Sequence, residues 1–193
     1  MGSPWRVGGL AAMLMLAGCT SLSLDTAARL RSLDYLNDDL AGLLLAFDLP
    51  AALEPVPAGS VLNLDVTTPA SGERHIRAAL VVADASEIAG TLPPPADARS
   101  YYLFGFSDAD KAAIREAQAW ARTLPPGNNA MTISLSPGIC RTAAIDPERV
   151  SVSVLVALPG ATGLAPLIAS QSVKSLLAAA PIKDLPACAG HSG

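Results

Sequence analysis

Apolar side chains recur along this chain with more than one spacing, and each spacing predicts a different element. Leu30, Leu33, Leu36, Leu40, Leu43, Leu44 and Phe47 share one arc when successive residues turn by about 100°. That arc predicts an amphipathic helix opened by Asp25 or Thr26, running to about Ala46 and stopped by Leu49-Pro50. Asp34, Asp38 and Asp39 fall on its polar side, the wrong sign for an anionic lipid surface, so the apolar face is expected to pack against a core. Asp34 and Asp38 have the spacing at which two carboxylates share a proton or a cation. None of the further oxygen ligands of a calcium loop follows them, and a solvated helix face is the simpler reading.

From Val61 the spacing drops to two. Leu62, Leu64 and Val66 alternate with Asn63 and Asp65 as far as Thr67, Pro69 to Gly72 is turn chemistry, and Arg74 to Ala83 repeats the alternation through Ile76, Leu80 and Val82. A hairpin that joins the two apolar faces sets Asp65 opposite or beside His75 and Arg77. Residues 48 to 60, with Pro50, Pro55 and Pro57, are expected to be an extended connection, and Ile88 to Arg99 a loop stiffened by Pro93-Pro94-Pro95. Tyr101 to Phe106 predicts a strand buried on both faces.

Ser107, with Asp110 three residues on, caps a helix to about Thr123 whose inner face is Ala113, Ile114, Ala117, Trp120, Ala121 and Leu124. Met131 to Ser136 follows as a strand, so the segment is expected to hold two parallel strands joined by a right-handed crossover. Arg149 to Leu158 alternates through Val150, Val152, Val154 and Val156, and Pro166 is expected to open a last helix through Ala179. The sum predicts a single α+β domain, a mixed sheet of about five strands packed with about three helices.

Val7 to Ala17 follows neither spacing. It is an unbroken apolar run of about 11 residues behind Arg6, well short of the roughly 20 that span hydrocarbon, and small residues follow it, the layout of a removable secretory leader. Its end, Leu16-Ala17-Gly18-Cys19, resembles the lipobox of bacterial lipoproteins, an apolar residue and two small ones before the cysteine that receives diacylglycerol. The resemblance covers only the first tenth of the chain. It implies a cleaved signal peptide at 1–18 and a lipidated Cys19 with a short tether over 19–24; composition and pattern, not the resemblance, lead to the expectation of a globular body at 25–189 and a frayed tail at 190–193. Thr20, where Asp would imply inner-membrane retention, implies the periplasmic face of the outer membrane. An ordinary secreted protein with an incidental cysteine at its cleavage site is the other reading.

With Cys19 assigned to lipid, Cys140 and Cys188 are left as one pair in an oxidising compartment, and a disulfide between them is expected. Closing a loop of roughly 49 residues stabilises a fold by about 4 kcal/mol in the chain-entropy model. Two unrelated buried thiols are the alternative.

Composition narrows the chemistry. Apolar residues make up 51% and charged residues 16% of the chain, which suits a folded body rather than a disordered tail. Removing Arg6 with the leader leaves 12 basic against 17 acidic side chains, a charge of −5, which disfavours nucleic acid and anionic headgroups as partners. Cysteines and histidines show no metal-ligand spacing, and Gly105-Phe106-Ser107 is too sparse for a phosphate loop, so neither metal nor cofactor is assigned. His75 with Asp65 resembles a catalytic pair only if a serine such as Ser60 or Ser71 joins it, and no nucleophile elbow is present. Tyr101, Tyr102, Phe104 and Trp120 are the candidate ligand-binding residues, since aromatic rings stack on sugars, although burial in a core explains them as well. The expected function is a noncatalytic envelope lipoprotein, an accessory or scaffold for a membrane-bound assembly, with the membrane (through its lipid) and an envelope protein as partners. The alternative is a module that binds a small ligand, glycan or peptide, walled by the aromatic strand and the Tyr35 to Asp39 region.

Overall fold

The structure is a computed structural model, and it describes residues 34–69, 72–84, 92–125, 130–158, 163–179 and 183–189. Its elements are β1 (Leu44–Pro50), β2 (Leu53–Pro55), β3 (Val61–Thr68), β4 (Gly72–Val82), β5 (Arg99–Phe106), α1 (Asp108–Arg122), β6 (Ala130–Ser136), β7 (Ile139–Arg141), β8 (Ser151–Ala157), β9 (Leu164–Ser172) and α2 (Val173–Ala179). Short 3-10 turns lie at Leu40–Gly42 and Pro57–Gly59. Seven strands form one sheet in the order β6-β3-β4-β5-β1-β8-β9, while β2 and β7 pair separately. Every pairing in the large sheet is antiparallel. The molecule is therefore mostly β, a curled sheet with two helices among the described residues, and not the five-stranded mixed α+β arrangement that the spacing predicts.

Three local differences produce that change. The first is the helix expected over residues 25 to 46, whose opening part lies outside the described residues. Asp34 to Gly42 is turn and 3-10 backbone, and from Leu44 the chain is β1, placed between β5 and β8. Leu45, Phe47 and Leu49 enter the main core while Ala46 is buried on the opposite face. A run that is apolar on both faces satisfies a helical arc and a doubly buried strand equally, and pairing on both edges decides it.

The second is the crossover. β5 already has β4 and β1 as neighbours, so α1 carries the chain past them to β3, where β6 pairs antiparallel from Val61↔Ser136 to Thr67↔Ala130. β6 alternates between exposed and half-buried residues, which suits an edge with one solvated face better than a covered parallel pair. The third is the last helix, which begins at Val173 rather than Pro166. Residues 164 to 172 are edge strand β9, where proline is tolerated, and its register slips beside Val154. Ser170 there takes a positive φ of 46°, and its N–H donates to the Ser153 hydroxyl at 3.0 Å.

Where one face is polar, alternation predicted the elements well. The β3–β4 hairpin pairs Leu64 with Ile76 and Asp65 with His75. The Ser107 hydroxyl accepts the Asp110 N–H at 3.1 Å and caps α1. α1 lies over β3, β4 and β5, and Ile114 joins a core centred on Phe47 and Phe104, whose rings meet edge to face at 5.0 Å.

The small sheet closes one end of this core with Leu53, Ile139 and Leu185. Cys140 and Cys188 form a disulfide with Cα atoms 5.0 Å apart, joining the tail to β7. Backbone bonds flank it: Arg141 N–H donates to the Pro186 carbonyl and Cys188 N–H to the Arg141 carbonyl, both at 2.9 Å.

Candidate functional site

β5 alternates about the sheet, with Tyr102 and Phe104 packing into the main core and Tyr101 and Leu103 on the opposite face with Ala46. β4 reaches β5 only from Leu80↔Phe106 to Val82↔Phe104, whereas β1 follows β5 from Phe104 to Arg99. The stretch of β5 before Phe104 thus lies beside a widening gap. Pro55, Pro57, Val82, Ala83 and Leu92 join Tyr101 to Phe104 around a hollow of about 350 Å³ there. Its lining is apolar apart from the two phenols, and Val82 is 75% exposed.

A polar corner lies on the same strands. The Arg99 Nε donates to Asp48 Oδ1 at 2.7 Å, and its terminal nitrogens donate to the Asp48 carbonyl at 2.7 Å and the Ser151 carbonyl at 3.2 Å. Burial pushes the nearby Tyr101 phenol above its usual range, the Asp48 carboxylate adds to that shift, and the Arg99 guanidinium opposes it. The arrangement can hold an apolar group against aromatic walls, with Tyr101 as a neutral hydroxyl.

Trp120 does not join Tyr101, Tyr102 and Phe104. It is half-buried on α1, with the Arg74 guanidinium 4.5 Å from its ring centroid, and Arg74 also pairs with Glu116 at 3.4 Å. Burial of Tyr102 and Phe104 against the main core leaves Tyr101 as the aromatic side chain of β5 on the opposite face. The other walls come from segments far apart in sequence and carry no common motif.

The Tyr35 to Asp39 region is bound to α1 instead. Gln118 Nε2 donates to the Tyr35 and Asp38 carbonyls at 2.8 Å each, Arg122 donates to the Leu36 carbonyl at 2.7 Å, and Arg115 grips Asp39 with two bonds of 3.1 and 2.8 Å. The Arg115 hydrogen bond holds the Asp39 carboxyl below its ordinary value. The carboxylates of Asp34 and Asp38 are engaged by local hydrogen bonds. The Asp34 carboxylate accepts from Leu36, Asn37 and the Asn37 amide, and Asp38 accepts from the Asp34 N–H.

His75 stands opposite Asp65, as the hairpin register requires. Its Nδ1 lies 2.8 Å from Asp65 Oδ1 and its Nε2 3.2 Å from Glu73 Oε2, with the ring exposed. The Asp65 hydrogen bond raises its pKa, desolvation opposes that shift, and the weaker hydrogen bond to Glu73 adds to the rise. Ser60 is on the other face of the sheet, fully buried. Its hydroxyl donates within reach of the Val56 carbonyl at 3.0 Å and accepts the Gly138 N–H at 2.9 Å, pinning one loop to another. Ser71 and Cys19 lie outside the described residues. Among the described residues, Glu54, Cys140 and Cys188 bring donor atoms within 4.8 Å of one another, but the two sulfurs are bonded together.

No described helix is long and apolar enough to cross a membrane. Comparisons of the chain with protein-family models, curated proteins and solved structures found no match.

Proposed function

We propose that this chain is a noncatalytic lipoprotein of the bacterial cell envelope, tethered through acylated Cys19 at the periplasmic face of the outer membrane, where it serves as an accessory or scaffold of a membrane-bound assembly. The observation that carries the reading is Leu16-Ala17-Gly18-Cys19 closing an apolar run too short to span a bilayer. The Cys140–Cys188 disulfide supports it, because such bonds persist in oxidising compartments. The separation of Ser60 from His75 across the sheet supports a noncatalytic role for that pair.

Membrane fractionation with mass spectrometry of the mature amino terminus tests the anchor. Wild type is expected in the membrane with a diacylated residue 19, and Cys19→Ala in the soluble fraction. An unmodified Cys19 removes the reading. Crosslinking in intact cells identifies the partner.

The hollow beside β5 favours a second reading, in which the body binds a small apolar ligand. Native mass spectrometry of the protein from its source membrane is expected to show a retained ligand that Val82→Arg releases. Binding unaffected by Val82→Arg excludes the hollow.

A further inference from the structure

The Cys140–Cys188 disulfide is bordered by the carboxylate of Glu54. A carboxylate oxygen of Glu54 lies within 4.8 Å of both sulfurs, and the Glu54 carbonyl oxygen is 3.5 Å from Cys140 Sγ. Glu54 occupies the middle of β2, directly opposite Cys140 on β7, so the pairing register fixes the carboxylate beside the bond. Its side chain has no ion-pair partner among the described residues. The nearest cation in sequence, Arg141, is engaged elsewhere: Nε donates to the Leu185 carbonyl at 3.1 Å, and a terminal nitrogen lies 3.8 Å from Asp184.

We infer that Glu54 is an electrostatic guard that slows reduction of this disulfide by thiols. Thiol–disulfide exchange begins when a thiolate attacks one sulfur. A mixed disulfide forms, the Cys140–Cys188 bond breaks, and the other cysteine leaves as a thiolate; a second thiolate from the reductant then completes the exchange. The attacking and leaving groups are both anions, so a fixed carboxylate at this distance disfavours the transition state on both sides. What it protects is the attachment of the tail to β7, and with it the seat of Leu185 in the core.

The test follows reduction of the full-length protein in detergent by alkylation and intact mass, with two reductants. Dithiothreitol attacks as an anion, and tris(hydroxypropyl)phosphine attacks as a neutral molecule. Glu54→Gln is expected to speed reduction by dithiothreitol about three- to tenfold at low salt, the size of one unit charge acting through partly screened solvent. It is expected to change the phosphine rate much less, because there the attacking group is neutral and only the leaving thiolate is an anion, and Glu54→Asp keeps the slow rate. In the unmodified protein, raising salt from about 0.01 M to about 1 M shortens the screening length from roughly 30 to 3 Å and is expected to speed the thiol reaction more than the phosphine reaction. Equal acceleration by both reductants, or a thiol rate indifferent to both Glu54→Gln and salt, overturns the inference.

Discussion

The two halves of the sheet solve the burial problem differently. β6, β3 and β4 cover one face with α1 and leave the other to water, where Ser134, Asn63 and Arg77 form one cross-strand row and Thr132, Asp65 and His75 the next. In the other half, β5, β1 and the Leu155 end of β8 are apolar on both faces: Phe47 and Phe104 on one, Ala46, Leu103, Tyr101 and Leu155 on the other. The first half is specified by alternation, since a one-residue slip would turn Leu62 and Leu64 out to solvent. β1 and β5 have no such penalty written into their sequence, and their position depends on neighbours.

Substitutions on the outer face divide the halves most sharply. Ala46→Asp places a charge in a fully buried site between β5 and β8, and the expected loss is at least about 3 kcal/mol, or failure to fold. Thr132→Ala, on the same side of the polar half, is expected within about 0.5 kcal/mol of wild type. Chemical denaturation of both variants checks the pair, and similar losses would erase the distinction. Next in size is Gly138→Ala, at the loop leaving the polar half. Its new Cβ would stand 2.6 Å from the Gly59 carbonyl carbon, an overpacking expected to cost about 1–3 kcal/mol.

The smallest expected effect is at His75. Its folded pKa is raised above the usual value near 6.5, so the contribution of the charged pair is fully present below about 6.5 and is lost as pH rises through the raised folded value. The ring is exposed, so the change in stability is slight and the titration itself is the better readout. Asp65→Asn is expected to lower the His75 midpoint measured by NMR more than Glu73→Gln does. Equal shifts would contradict the order of the two partners.

The same contrast explains what was legible beforehand. The β3–β4 hairpin, the Ser107 cap, β6 and β8 were readable because each shows a clean period or a local hydrogen-bond signature. β1 was not, because Leu43 to Phe47 is apolar without interruption and its helical arc continues one already begun at Leu30. The place of β6 depended on which edge was vacant, a property of the assembled sheet and not of residues 130 to 136. The Cys140–Cys188 pair followed from counting cysteines. Of the hollow, Tyr101, Tyr102 and Phe104 were visible as an aromatic cluster, while Pro55, Val82 and Leu92 enter only through folding. The grip of Arg115, Gln118 and Arg122 on residues 35 to 39 left no trace in the pattern, since polar residues on a helix ordinarily signify water.

The rims of the sheet are unequal. Pro166 takes one backbone donor out of β9, and Ser170 bends the strand away from extended geometry two residues before it ends. β6 carries neither device from Ala130 to Ser136. A stack of such molecules growing rim to rim would meet a blunted margin at every β9, so one proline ring and one bent serine backbone limit how far any ribbon of copies can extend.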